Sequence, residues 1–478
     1  MTCPSFIARS SPLLNRFPMD KHKKSFYLVQ SRVLDEANPE PQQVIFATRT
    51  ASIMVIRSEY LQYMEQNAFE QIPADILSDL VAIEAIVPEE QDELSYILQD
   101  NQQEVEKDDT LDIVIQPGAS CQLGCHYCGQ KHSNHYMSKP LQQKMIDRII
   151  GKLKENNMKE LSITWYGAEP LMAVRQIREM SAPLLEYTTA MGIRYSANMV
   201  TNGLSLKENI FREMVEQWKV TNFQITLDGV AAYHDKNRYT KQNKPTFDII
   251  FNNILNIVNA PYYRACGGRL MIRCNVDKNN EPGLQEFIAL MAEHKLQEKV
   301  GFYVIPVHNW GDNHAGDEVG VDKSGFAMAE IDWLLQLMRY GFQVDILPER
   351  SKIVCSAVKK HSEVYDAFGT VSTCWEVPYT PLYTNTAYEI GHLSLPFTED
   401  VSKTPMRAWN TDLKEGKTWC AKCNLLPVCG GSCPIHWEHG IPACPSFKFN
   451  IEDRLILAWL EDRHQRKVKV LQHQQAEN

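Results

Sequence analysis

The sequence predicts an α/β fold: a parallel sheet curled into a partial (β/α)6 barrel, with a small N-terminal α+β domain and a loop-rich C-terminal iron–sulfur domain. Three observations predict it. Across residues 110–345, six short buried runs alternate with helical stretches, the order that builds a parallel sheet. Residues 25–109 read instead as strands followed by helices. Residues 346–478 hold seven of the thirteen cysteines in a segment with few periodic runs before a closing helix, and thiolates so spaced suit metal or iron–sulfur ligation.

The 478 residues suffice for two or three domains, and 44% hydrophobic with 23% charged residues is the composition of a globular chain. The first 18 residues hold no long apolar segment and do not read as a signal peptide; Met19 is a more natural start, so residues 1–24 are read as a tail. In the N-terminal domain, Phe26 to Val33 and Gln43 to Phe46 have strand character, Ser58 to Gln66 and Ala74 to Ala85 read as helices, and Glu89 to Glu93 lead into another. Acidic Glu104 to Asp109 reads as a linker.

The barrel strands are expected at Leu111 to Gln116, Leu161 to Trp165, Ile193 to Met199, Asn222 to Leu227, Leu270 to Val276 and Gly301 to Ile305. Helices are expected near 140–156, 171–189, 206–217, 246–259, 283–295 and, after a loop rich in Asp, Gly, Asn and His, 325–341. Glu452 to Val470 reads as a closing helix with Leu455, Ile456, Trp459 and Leu460 on its apolar side.

Net charge is −10, and the basic clusters, Lys21 to Lys24 and Arg466 to Lys469, are short; nucleic acid demands a broader basic face. No apolar run approaches the roughly 18 residues of a membrane span. Without an export signal a cytoplasmic protein is expected, and its cysteines read as ligands rather than disulfides. Cys3, Cys266 and Cys274 stand apart from the spaced groups and read as ordinary thiols.

Cys121-x3-Cys125-x2-Cys128 lies just beyond the first barrel strand, at the end where such folds bind ligands. Three thiolates hold a [4Fe–4S] cluster and leave one iron open. A structural zinc site is the alternative; it wants a fourth ligand, for which His126 and His132 are candidates. Tyr166-Gly167-Ala168-Glu169-Pro170 ends the second strand, and Thr201-Asn202-Gly203 follows the third. Leu227-Asp228-Gly229 closes the fourth, with Arg238 beyond it. The late cysteines run Cys355-x13-Gly369-x4-Cys374, then Cys420-x2-Cys423-x5-Cys429-x3-Cys433-x10-Cys444.

The first cysteine group resembles the CxxxCxxC signature of the radical SAM (S-adenosylmethionine) superfamily, and Gly167 to Pro170 resemble its GGEP motif, with Ala168 at the second glycine. The resemblance implies that SAM chelates the open iron and that one electron cleaves it to a 5′-deoxyadenosyl radical. It further implies that Gly167, Ala168, Glu169 and Pro170 receive the SAM amino group, and that Asn202 and its neighbours hold the ribose and carboxylate. Arg238 is the candidate for the carboxylate, which guanidinium pairs bidentately. Tyr127 is expected near the adenine, with ordinary packing as its alternative. A surface ion pair is the alternative for Arg238, and a plain turn for Asp228-Gly229. Gly124 is expected to supply a φ > 0 turn in the cysteine loop.

The late cysteines resemble the SPASM domain of radical SAM enzymes, a group that includes sulfatase maturases and enzymes that modify ribosomally made peptides. That resemblance implies one auxiliary [4Fe–4S] cluster on Cys420, Cys423, Cys429 and Cys444. A second would sit on Cys355, Cys374 and Cys433, its fourth ligand open, making three clusters in all; two zinc sites are the alternative. Where sulfatase maturases carry an aspartate base, Trp375 stands here, followed by Glu376 as the candidate base. Residues 25–109 are similar to winged-helix modules that bind a leader peptide by strand addition, an ordinary cap being the alternative. The function so implied is a peptide maturase that crosslinks or oxidises side chains, fed by a reductant such as flavodoxin or ferredoxin. A formylglycine-generating enzyme and a metal-stabilised peptide-binding scaffold without catalysis are the alternatives.

Overall fold

The computed structural model describes the backbone of residues 21–476 and the side chains of residues 21–464. Cys3, Met19 and most of the expected tail lie outside the described residues. All six expected barrel strands form: β6 (Thr110–Ile115), β7 (Glu160–Trp165), β8 (Arg194–Thr201), β9 (Val220–Thr226), β10 (Arg269–Val276) and β11 (Val300–Pro306). They pair in chain order, every pair parallel. Six helices return the chain between and after them: Lys139–Glu155, Val174–Met191, Glu208–Glu216, Phe247–Val258, Leu284–Glu293 and Lys323–Arg339. Parallel neighbours need such crossovers, and alternate strand residues, such as Leu161 and Ile163 of β7 and Leu270 and Ile272 of β10, are buried in the main core. Trp165, Phe211, Phe223 and Phe287 fill the resulting core.

The sheet stays open, with β11 at one edge. At the other, the segment expected to be loop-rich adds three strands, β12 (Ser362–Tyr365) parallel to β6, then β13 (Thr370–Ser372) and β14 (Glu389–His392), both antiparallel. A charge in mid-strand had hidden β12: Glu363 is fully buried and pairs with Arg148 at 2.6 Å and Lys152 at 2.8 Å, both on helix Lys139–Glu155. One carboxylate thus ties the cysteine-rich segment to the barrel.

In the N-terminal unit β1 (His22–Lys24) pairs with β5 (Ile86–Pro88), so the chain is ordered from within the expected tail. The strands β2 (Leu28–Gln30), β3 (Gln42–Ala47) and β4 (Ser52–Arg57) form an antiparallel sheet with β4 at one edge. Alternation along β3 divides its side chains between two layers. Ile45 and Ala47 meet Leu61, Met64 and Leu80 of the unit's own helices, whereas Val44 and Phe46 meet Leu347, Leu425, Val428 and Leu455 of the C-terminal segment. The expected acidic linker is mostly helix: Glu93–Lys107 continues through it because Val105 extends a buried stripe with Ile97, Leu98 and Asn101 while Glu104 and Glu106 face solvent. Asp92 caps its start, accepting from Ser95 N at 3.1 Å.

The closing helix, Phe447–Ala476, kinks at Asn450. Its buried face is turned from the one expected: Leu457 is buried and Leu460 is 45% exposed. Arg454 occupies the buried face, bonded to Glu330 at 2.7 Å and to the Ile346 carbonyl at 2.7 Å, and so masked the register. Among the described residues no helix is long and apolar enough to cross a membrane.

Candidate functional site

The cysteine loop leaves the C-terminal end of β6 and is clamped from both sides. Gly124 N donates to the Tyr239 carbonyl at 2.9 Å and His126 N to that of Asn237 at 3.3 Å. Gly124 does not take a positive φ; it is needed for space, since a Cβ there would stand 3.2 Å from the Tyr239 ring. Burial pushes the Cys121 thiol up to about 12 and that of Cys125 to about 11. Thiols so disfavoured as anions are poor nucleophiles and ionise when a metal supplies the compensating charge.

Neighbours complete this environment. Asn202 Nδ2 lies 3.8 Å from Cys121 Sγ, and His132 Nε2 lies 3.8 Å from Cys128 Sγ. Burial lowers His132 to about 4, so its ring is neutral. His126, the other candidate zinc ligand, turns instead to Asp277, 3.3 Å away.

The turn after β7 is built on a left-handed pair, Gly167 at φ +81° and Ala168 at φ +48°. Glu169 is buried and braces the tip of β8. One carboxylate oxygen accepts from Thr201 Oγ1 at 2.6 Å and Leu171 N at 3.0 Å, the other from Asn202 N at 2.7 Å. Two oxygens offer about four acceptor positions, so one remains for a ligand donor. Gln116, at the end of β6, packs so close to this turn that a Cβ on Gly167 would stand 2.3 Å from its amide carbon. Both polar atoms of that amide are buried and unpartnered.

Tyr127 and Arg238 meet each other. Arg238 Nη1 donates to Tyr127 Oη at 2.6 Å, and Tyr127 donates to Asp228 Oδ2 at 2.5 Å. Asn275, at the end of β10, donates to the same phenol at 3.0 Å and to Asp228 Oδ1 through its backbone at 2.9 Å. Tyr127 therefore pins the cysteine loop to the ends of β9 and β10. Arg238 Nε is buried without a partner, a donor left over for an anion. Arg238 is no surface ion pair: it is 7% exposed.

The late cysteines fall into two sets. Cys420, Cys423, Cys429 and Cys444 line one cavity with Trp419, Leu426, Trp437 and Lys448. Lys448 Nζ reaches Cys444 Sγ at 3.5 Å. Cys355, Cys374 and Cys433 form the other: burial, then Glu376 and the remaining two cysteines, raise the Cys374 thiol well above its usual range.

Glu376 stands between two imidazoles, 3.8 Å from His308 Nε2 and 3.6 Å from His436 Nε2. Burial opposes its ionisation, yet the two rings hold it down at about 2. Sequence reasoning missed Gln116, Asn275, His308 and His436. The first three end or follow barrel strands, where the fold presents ligands; His436 follows Cys433 by three residues on the short helix Pro434–Glu438 and carried no such signal.

Residues 115–277 match the model of the radical SAM superfamily. A serine-type anaerobic sulfatase-maturating enzyme of Bacteroides thetaiotaomicron is 30% identical over 156 residues, 30% of this chain and 36% of that protein. The match therefore spans little more than a third of that relative. A cysteine-type enzyme of Clostridium novyi is 24% identical over 389 residues, 72% of this chain and 96% of that one. The structure of anSMEcpe with bound AdoMet superposes with a TM-score of 0.55 at 15% identity, covering 73% of this chain and 98% of that chain, a likeness of fold. The family match runs from the last residue of β6 to the residue after β10, and so takes in the whole cysteine loop and the network that braces it: over residues 115–277 the chain is similar to the radical SAM superfamily.

Proposed function

We propose that this protein is a peptide maturase that crosslinks or oxidises side chains of a ribosomally made precursor. The observation that carries the reading is the meeting of two centres. Tyr166, beside the Gly167 turn, packs on Trp375, which adjoins Cys374. The electrostatic surroundings of Tyr166 include both Cys128 and Cys374. A substrate bound beside Tyr166 would lie near both the first cysteine loop and a late cysteine set.

Cys121, Cys125 and Cys128 would hold the SAM-binding [4Fe–4S] cluster, and the two late sets one auxiliary cluster each. When bound there, the cluster and SAM would supply radical chemistry for hydrogen abstraction. The chain's own residues orient and shield it. Glu169 keeps one acceptor for the SAM amino group, Gln116 offers an amide at the same turn, and Arg238 keeps Nε for the carboxylate. Flavodoxin or ferredoxin would supply the electron. The precursor would add a strand to the free edge of β4; slowed amide exchange over Ser52–Arg57 when peptide binds is the expected sign.

A second reading has its own support: two of the curated relatives are sulfatase-maturating enzymes, and Glu376 places a carboxylate two residues after Cys374. It predicts formylglycine as product. Mass spectrometry of a small Cys-rich or aromatic-containing peptide encoded beside the gene and expressed with the enzyme tests both. Loss of two hydrogens without reaction toward a hydrazide probe supports a crosslink; a hydrazide-reactive aldehyde supports formylglycine. An unmodified peptide and an unmodified sulfatase would refute both.

A further inference from the structure

We propose that His308, Glu376 and His436 form a mononuclear site for a divalent transition metal, distinct from the three cysteine sets. Three segments bring the donors together: His308 follows β11, Glu376 follows Cys374, and His436 lies on the helix after Cys433. Theirs is the one group of three Cys, His, Asp or Glu donors among the described residues whose ligand atoms all lie within 4.8 Å of one another.

The spacing is that of ligands rather than of bonded partners. Glu376 Oε1 stands 3.8 Å from His308 Nε2 and 3.6 Å from His436 Nε2. Hydrogen bonds of this kind measure roughly 2.7–3.2 Å, and His308 Nε2 is buried without a hydrogen-bond partner. Tetrahedral ligands at ~2.0–2.2 Å from an ion stand about 3.3–3.6 Å apart. The two imidazole rings, with centroids 5.0 Å apart and planes at 70° to each other, flank the same carboxylate oxygen. Trp310 stacks on His308, centroids 5.9 Å apart, and fixes that ring.

Two imidazoles and one carboxylate suit Zn2+ and leave a fourth position open. That position would take water or a thiolate or carboxylate of the substrate, beside Cys374. Its use as a holding point for peptide rests on the maturase reading; the binding of metal does not. A bound ion would also remove Glu376 as a free base, which favours crosslinking over formylglycine.

The test uses full-length protein with its iron–sulfur clusters reconstituted without oxygen, exposed to Zn2+ and desalted. The expected result is about one zinc per chain, with an X-ray absorption edge showing nitrogen and oxygen neighbours and no sulfur. His308→Gln and His436→Ala should each lower retained zinc at least tenfold while iron content and circular dichroism stay unchanged. His308 is half-exposed, so its variant keeps the test open if His436→Ala fails to fold. Sulfur around the zinc, no retained zinc, or equal retention by folded variants would overturn the site.

Discussion

The ring of Tyr166 lies 5.1 Å from that of Trp375, tilted by 47°, and so connects the turn after β7 to the cysteine-rich segment. Trp375 is itself fixed, its Nε1 donating to Ser356 Oγ at 2.9 Å. Trp375→Ala should leave iron content and SAM cleavage intact but lower the yield of peptide product by about tenfold or more, because small misplacements of a reacting group are costly. Deoxyadenosine and product are measured in the same reaction; equal losses of both would show that the contact serves folding alone.

Gln116 gives a prediction with opposite signs. An unpartnered buried amide costs about 1–3 kcal/mol, so Gln116→Leu should raise the stability of the SAM-free protein. If the amide serves SAM at the Gly167 turn, the same variant should weaken SAM binding by about tenfold. Thermal unfolding and equilibrium binding report the two effects separately.

The turn itself separates conformation from chemistry. Gly167 combines φ +81° with contact against Gln116, so Gly167→Ala should abolish SAM binding. Ala168 carries a side chain in the left-handed region, at roughly 1–2 kcal/mol. Ala168→Gly should therefore stabilise the protein by up to about 1 kcal/mol and, on the proposal that the turn meets SAM through its backbone, leave SAM cleavage within about twofold. A large loss of cleavage would assign the Ala168 methyl a role in the site.

Glu363 sets an acid limit. Burial opposes its charge, but Arg148 and Lys152 prevail and lower its pKa. A carboxylate with a depressed folded pKa contributes stability above its unfolded value near ~4.3, and that contribution is lost as pH falls through the folded pKa. Glu363→Gln should cost about 3–5 kcal/mol at neutral pH, as breaking a buried pair does. It should also flatten the fall in stability below pH ~4 in urea titrations.

The barrel was legible because six short strand-like runs alternate with helical stretches, each strand keeping buried apolar residues on one face, as Leu161 and Ile163 do in β7. The cysteine sets were legible because spacing survives any fold. Three features were not. Glu363 in β12 and Arg454 on the closing helix put charge on buried faces, where partners distant in sequence neutralise it. The trio of His308, Glu376 and His436 depends on three segments meeting, which no local pattern announces. The hydrogen bonds of the Tyr127 phenol to Arg238, Asp228 and Asn275 likewise join the cysteine loop to the ends of two strands, a network no local pattern announces.

The central claim is that Cys121, Cys125 and Cys128 form the radical-generating centre. It is tested most directly by incubating the reconstituted protein with SAM and dithionite in the absence of oxygen and measuring 5′-deoxyadenosine. The account predicts release by the intact protein and none above background by Cys125→Ala. Equal release from both proteins, or iron-free protein holding zinc at these cysteines, would contradict it.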